Sequence, residues 1–204
     1  NIKFYFVKSF NYDAHMFVLK KKYFFIIGSI KDIDLNNIKK YNKFSIIYRN
    51  KKTPEDLNSL LIFRKKCRLK NIKFYIANNT RLACLLKADG IYLSASNKSF
   101  KSLNLLSLQF DIIGSAHNIN EINQKKKQKC TCIIFTKLFK VNYAPEEKFL
   151  GIIKFNNLLK INRNIIPLGG ITEFNLNKLN ILKSDGFALM SEIKKKPTIS
   201  SRLF

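Results

Sequence analysis

The chain predicts one α/β domain folded as a (β/α)8 TIM barrel, and three observations carry that prediction. Short apolar runs alternate with helix-period segments along most of its length. Those runs are continuous rather than alternating, the pattern of strands buried on both faces in a parallel sheet. Two late runs, Ile165–Thr172 and Asp185–Ser191, end in small residues just before a helical segment. In a barrel these are the loops after strands seven and eight, where glycine lets the backbone approach an anion and a helix N-terminus supplies partial positive charge. Taken alone, Gly169 and Gly170 also read as a helix C-cap beside a buried strand with no ligand. An open doubly wound sheet is the alternative architecture, because periodicity does not register closure.

The elements follow in order. Phe4–Val7 is a possible strand, but residues 1–22 have no clear period and are expected to be an N-terminal extension or decoration, with the barrel over 23–204. Tyr23–Gly28 is the first barrel strand, followed by a short helix over Asp34–Tyr41 and a second strand over Phe44–Tyr48. Thr53, Pro54 and Glu55 offer an N-cap, a first-turn proline and an acidic first turn for a helix running to about Leu69. Phe74–Ala77, Ile91–Leu93, Asp111–Gly114 and Thr131–Thr136 are strands three to six, with helices over Arg81–Lys87 and Ile119–Lys127. A polar loop over Lys137–Ala144 leads to a helix starting near Pro145, Glu146 and Glu147, with Phe149, Ile152, Ile153 and Phe155 on its apolar face. Ile165–Leu168 is strand seven, Glu173–Leu182 its helix, and Phe187–Met190 strand eight.

Composition narrows the function classes. The 204 residues, 46% of them hydrophobic, can bury one sizeable core. Lys and Arg number 38 against 13 Asp and Glu, a net charge of +25 that would attract polyanions. Lysine, asparagine, isoleucine and phenylalanine are over-used together, as AT-rich codons dictate, and the lysine runs scatter over separate segments, so a nucleic-acid role is not favoured. No apolar run approaches the roughly 18 residues of a membrane span. No secretory signal is visible, although the chain begins at Asn1 without a methionine. Cys67, Cys84, Cys130 and Cys132 lack the spacing of a disulfide framework, which argues for a reducing, cytoplasmic compartment. Cys130 and Cys132 alternate on one predicted strand face, but with no second ligand pair they read as buried small residues rather than metal ligands.

In a barrel the chemistry belongs at the strand C-termini. Read off the sequence, these ends carry Arg49, Asn50 and Lys51; Asn78 and Asn79; Ser94–Asn97; Ser115 and His117; Gly169 and Gly170; and Met190 and Ser191. Cations, amides and hydroxyls beside a glycine pair describe a site for an anionic, phosphorylated small molecule.

These residues resemble the thiamine-phosphate synthases and the related thiazole tautomerases, over about Ile46 to Ile193. The family's second strand ends Gln-Leu-Arg-x-Lys, and Ile47-Tyr48-Arg49-Asn50-Lys51 keeps the Arg and Lys without the Gln. Its Asn-Asp, Arg and Ala-Asp-Gly-Val-His-Leu sequence is similar to Asn78, Asn79 and Arg81 followed by Ala88-Asp89-Gly90-Ile91-Tyr92-Leu93. Gly-x-Ser-x-His resembles Gly114, Ser115 and His117, and the two late glycine elements resemble Gly169–Ile171 and Ser184–Ser191.

The resemblance implies a cytoplasmic transferase of thiamine biosynthesis that couples a hydroxymethylpyrimidine diphosphate to a thiazole phosphate, with Mg2+ on the diphosphate. It implies catalytic roles for Arg49, Lys51, Ser115 and His117, and substrate or phosphate contacts from Asn78, Lys137, Gly169, Gly170, Met190 and Ser191. The family's two metal-ligating aspartates fall at Asn79 and Asn97, both neutral. Each lost unit of charge beside the metal forfeits at least ~4 kcal/mol at an effective dielectric of about 20. The glycine-rich loop after strand six is replaced by Lys137-Leu138-Phe139-Lys140-Val141, and Lys137 stands where the tautomerase branch has its catalytic His. Two alternatives follow: a thiazole phosphate tautomerase with His117 or Lys137 as acid and base, and a phosphometabolite-binding barrel without turnover.

Overall fold

The computed structural model describes residues 22–38, 43–50, 55–141 and 146–190. Eight parallel strands close in chain order into a barrel: β1 (Lys22–Ile27), β2 (Phe44–Tyr48), β3 (Lys73–Ala77), β4 (Gly90–Leu93), β5 (Asp111–Ala116), β6 (Cys132–Thr136), β7 (Ile165–Leu168) and β8 (Gly186–Leu189). β8 returns to β1 in register, Tyr23 opposite Phe187 and Phe25 opposite Leu189, which excludes the open sheet. β1 starts at Lys22, one residue inside the expected extension. Residues 1–21, with Phe4–Val7, lie outside the described residues.

Strand pleating divides the apolar residues between an inner core and two outer clusters, the smaller of which gathers Ile91, Leu93, Leu105 and Ile112. Inward positions hold Phe24, Ile26, Ile47, Tyr75, Tyr92, Ile134 and Ile166, which fill the barrel. Outward positions hold Tyr23, Phe25, Phe44, Ile46, Phe74, Ile133 and Phe187, which pack beneath the connections. Each such side chain contributes about 1.5–3 kcal/mol when fully buried. Continuous apolar strands are what a sheet covered on both faces requires.

The connections depart from expectation in instructive ways. The helix expected over Asp34–Tyr41 is two 3-10 turns, Ile30–Asp32 and Leu35–Asn37, capped by Ser29 and Asp34, while residues 39–42 lie outside the described residues. On the outer face Phe44 stacks on Tyr23 and Phe25 at centroid distances of 5.0 and 5.3 Å, and the buried Leu35 and Ile38 of this connection join the same cluster. The next helix, α1 (Leu57–Leu69), is capped by Asp56, whose carboxylate accepts from the Ser59 N–H at 2.8 Å. Thr53 and Pro54, expected to start it, lie outside the described residues. Glu55, expected in its first turn, instead reaches across to β1 and β2, accepting hydrogen bonds from Ser29, the Ile30 N–H and the Tyr48 hydroxyl.

α2 (Thr80–Leu85) and α3 (Ile119–Lys127) follow β3 and β5, near their expected positions. A 3-10 stretch, Lys101–Leu108, fills the β4–β5 connection, where no element was expected. α4 (Gly151–Ile161) begins later than the Pro145 start expected; its buried face is Phe155 and Leu159, while Phe149 lies before it and Ile153 is 79% exposed. The helix expected over Glu173–Leu182 is 3-10, Glu173–Ile181, its start held by Asn175 accepting from the Thr172 N–H.

The motifs before β4 and β8 stabilise the far end of the barrel. A Cβ at Gly90 would lie 2.1 Å from the Asp111 carbonyl oxygen, and one at Gly186 2.0 Å from that of Lys22, so both positions admit only glycine at this strand spacing. Asp89 pairs with the buried Arg64 at 2.8 Å and accepts from the Phe74 N–H at 2.7 Å, joining α1 to β3. Asp89→Ala therefore leaves a buried guanidinium and a backbone donor short of partners and is expected to cost about 2–4 kcal/mol in urea unfolding.

The four thiols are free. Cys130 does not share a face with Cys132 as expected, because it precedes the strand and packs outside the barrel, whereas Cys132 lies inside. Burial pushes the thiols of Cys67, Cys130 and Cys132 up to about 12, so thiolate is scarce below that pH. Iodoacetamide at pH 8 is expected to modify the exposed Cys84 alone in native protein, and all four after denaturation, as read by mass spectrometry.

Candidate functional site

Parallel closure brings all the strand C-termini to one mouth, and a cavity of about 650 Å3 opens there. Of the residues singled out in the sequence, Arg49, Ser94, Ser115, His117, Lys137 and Met190 line it together. Ser115 lies inside β5 rather than after it. Lys51 and Ser191 lie outside the described residues.

The floor is polar and buried. Ser94 and Ser115 are 7% and 5% exposed. Tyr92, at the inward position two residues before Ser94, lines the cavity beside Ser115. Burial raises the Tyr92 phenol above its usual range, opposed by the Ser115 hydroxyl and the positive charge of Arg49. Tyr92, Thr136, Glu121 and Glu147 also line this cavity and were missed in the sequence. For Tyr92 the signal was present: inward alternation in β4 aligns it with Ser94, but an apolar run conceals a tyrosine whose hydroxyl faces the mouth.

Cations at the rim are held differently. The Arg49 N–H donates to the Ile27 carbonyl at 2.8 Å, fixing the turn after β2 against β1. Lys137 forms an ion pair with Glu147. His117 is exposed; its backbone N–H donates to Glu121 at 2.6 Å, and its Nδ1 lies 3.8 Å from the same carboxylate. Asn118 caps α3, accepting from the Glu121 N–H at 2.9 Å, so this corner is a rigid helix entry.

The amides after β3 and β4 form a closed network. Asn78, at φ +57°, accepts from the Ser94 N–H and the Asn97 amide, each at 3.0 Å, and donates to the Ser94 hydroxyl at 3.1 Å. Asn79 spends its side-chain oxygen capping α2, on the Leu82 N–H at 2.9 Å. Asn97 spends its own on the Ser99 N–H at 2.9 Å. Behind this loop the buried Lys125 donates to the Asn97 carbonyl at 2.6 Å, and Gln128 donates to the Asn97 and Ser99 carbonyls. Gly114 makes room for it, since a Cβ there would meet the Lys125 stem at 2.8 Å.

This donor set is ill matched to Mg2+, which takes hard anionic oxygens. Positions 79 and 97 offer neutral amides whose oxygens already serve backbone N–H groups. Among the described residues no three His, Cys, Asp or Glu side chains gather to hold a metal ion.

Gly169 and Gly170 lie beside the main cavity, lining a side pocket of about 40 Å3 that shares Thr136, Leu168 and Met190 with it. That volume holds about one water or anion oxygen. The pair follows a strand, with φ of +98° and +68°, so the helix C-cap alternative does not apply. It also packs the loop after β6: Leu138 and Phe139 N–H groups donate to the Leu168 and Gly169 carbonyls at 3.0 Å. Leu138 and Val141 are buried, so this loop is not the polar segment expected.

A closed parallel barrel with a cationic, hydroxyl-lined pocket at its strand C-termini defines the class of protein. The family model described as thiamine monophosphate synthase matches residues 35–193. The chain belongs to the thiamine monophosphate synthase family. It is 29% identical over 140 residues to a thiamine-phosphate synthase of Prochlorococcus marinus (strain SARG), covering 66% of this chain and 40% of that protein. A thiamine-phosphate synthase of Clostridioides difficile (strain 630) is 26% identical over 160 residues, 76% of this chain and 75% of its own length. The chain thus spans well under half the length of the Prochlorococcus relative it matches. Among solved structures, thiamine phosphate pyrophosphorylase from Pyrococcus furiosus superposes with a TM-score of 0.65 at 15% identity, over 90% of this chain and 93% of the other.

The two glycines are expected to differ under substitution. A Cβ at Gly170 would lie 2.4–2.6 Å from the backbone of Phe139 and Lys140, whereas at Gly169 its nearest contacts are 3.2–3.3 Å. Gly170→Ala is therefore expected to cost at least about 2 kcal/mol in chemical unfolding, more than Gly169→Ala, because backbone cannot rotate aside as a side chain can.

Proposed function

We propose that this chain joins a hydroxymethylpyrimidine diphosphate to a thiazole phosphate and releases diphosphate. The observation that carries the reading is the convergence of Arg49 and Lys137 with the Tyr92, Ser94 and Ser115 hydroxyls on one cavity, beside the Gly169–Gly170 pocket. In the reaction the thiazole nitrogen attacks the pyrimidine methylene carbon. A C–N bond forms while the C–O bond to diphosphate breaks, and the electron pair leaves with the diphosphate.

Bond making here removes no proton, so the demand on the protein is electrostatic. Negative charge builds on the leaving diphosphate, and fixed cations beside it lower the barrier. Arg49 is anchored through its backbone to β1 and is a planar, permanently charged donor. Lys137 enters from the opposite rim, on Glu147, and would exchange that carboxylate for a phosphoryl oxygen when substrate binds. The Ser115 and Tyr92 hydroxyls on the floor would orient the pyrimidine, and Asn78 keeps Ser94 in place. His117 contributes a donor at the rim, and Met190 separates the two pockets. Arg49 and Lys137 carry the charge in place of Mg2+, which the neutral, backbone-committed Asn79 and Asn97 do not suit.

The neutral, backbone-committed Asn79 and Asn97 favour a second reading, a barrel that binds the phosphorylated substrates without joining them. One assay separates the two. Native protein supplied with both substrates, with and without Mg2+, is expected to form thiamine phosphate by chromatography, and to do so in chelator. Arg49→Gln and Lys137→Gln are each expected to lower kcat/KM at least tenfold, about 1.4 kcal/mol of transition-state stabilisation. Ligand binding without product under both conditions supports the second reading.

A further inference from the structure

We infer that the N-terminal mouth of the barrel is a second anion site, separate from the cavity at the strand C-termini, that takes a phosphate- or diphosphate-sized polyanion. A cavity of about 190 Å3 lies there, closed from above by Phe24, Tyr75 and Ile113. Three lysines line it: Lys22 opens β1, Lys43 precedes β2, and Lys73 opens β3. Their placement follows from the pleat. Phe24, Ile47 and Tyr75 point into the barrel, so the residues two or four positions earlier, Lys22, Lys43 and Lys73, occupy inward positions too. Ser45 and Thr131 add hydroxyls to the same wall.

The charge in this mouth is unbalanced. β1, β2 and β3 are consecutive neighbours, strands about 4.8 Å apart, so the three lysines rise from adjacent segments of the sheet. Like charges so placed repel, and none of the three has an ion-pair partner among the described residues. The one carboxylate lining the cavity, Asp111, accepts instead from the Tyr75 hydroxyl at 2.8 Å and from the Thr131 hydroxyl. Among the side chains lining it, three positive charges face one negative, while Asp89 and Asp185 stand near Tyr75 and Cys132. A bound polyanion relieves the repulsion and accepts from the ammonium groups and the Ser45 hydroxyl. Among the described residues the other lysines lie on helices and loops, whereas these three converge on one cavity.

Inorganic diphosphate is the probe, titrated calorimetrically into the native chain at about 0.15 M KCl, where diffuse surface attraction is screened. The triple variant Lys22→Gln, Lys43→Gln, Lys73→Gln is expected to bind one diphosphate fewer than native protein, or at least tenfold more weakly at that site. The corresponding triple Arg variant is expected to keep the site. The Gln variant is expected to melt no lower than native protein without diphosphate, because it removes repulsion, and to lose the melting-temperature rise that diphosphate gives. The Arg49→Gln, Lys137→Gln variant is expected to retain binding at this mouth. Unchanged stoichiometry and affinity in the Gln triple variant overturn the inference. So does an equal loss in a control triple, Lys148→Gln, Lys154→Gln, Lys160→Gln, since that attributes binding to net charge alone.

Discussion

The structure depends on one constraint: eight parallel strands must close while the pleat sends successive side chains to opposite sides. Each strand sends apolar residues both inward, to a core with Phe24, Tyr75, Tyr92 and Ile134, and outward, to a cluster with Phe25, Phe44, Phe74 and Phe187 or, under β4, to a smaller one with Ile91 and Leu93. Closure at this spacing leaves no space for a Cβ at Gly90 or Gly186, where the neighbouring strand's carbonyl comes within about 2 Å. The same alternation assigns polar residues to the two mouths. Ser94, Ser115 and Thr136 follow inward residues upward, while Lys22, Lys43 and Lys73 precede them below.

The upper mouth is assembled by contacts between loops more than within them. The segment after β6 leans on the turn after β7 through the Leu138 and Phe139 hydrogen bonds, and Gly170 is what permits that approach. Lys137 is thereby carried over the cavity, opposite Arg49. The glycine pair thus has a structural duty, packing the β6 loop, alongside the proposed one, approach to an anion. A substitution there reaches the cation as well as the cradle.

Asn78, Asn79 and Asn97 are where this chain differs most from the family pattern, and the network around them gives a physical account. Amides can both donate and accept, so Asn97 gives its N–H to Asn78 while its oxygen holds Ser99. A carboxylate at 97 has no proton to give Asn78 and would face its oxygen. Lys125 and Gln128, buried behind the loop, hold the Asn97 carbonyl from the other side. The loop is therefore rigid without a metal, and its donors are arranged for each other. Helix capping by Asn79 works equally for asparagine and aspartate, so position 79 is less constrained than 97.

Read alone, the sequence determined the order of the strands, their burial on both faces, and the strand-end residues Arg49, Asn78, Ser94, Ser115 and His117, because apolar periodicity and small-residue punctuation are local signals. Family motifs added the registers of Asp89-Gly90 and Gly169-Gly170. Tertiary structure decided what local signals do not encode. In the described residues it put 3-10 turns where helices were expected after β1 and β7, their Leu35, Ile38, Leu176 and Leu179 packing onto the outer face of the barrel. It drew Glu55 out of a helix start and onto Tyr48, and moved the start of α4 past Phe149. It also brought Tyr92 to the floor of the upper cavity and three lysines from three strands into the lower one. Those placements required closure, since only a closed barrel makes residues so far apart in the chain face one another across a common interior.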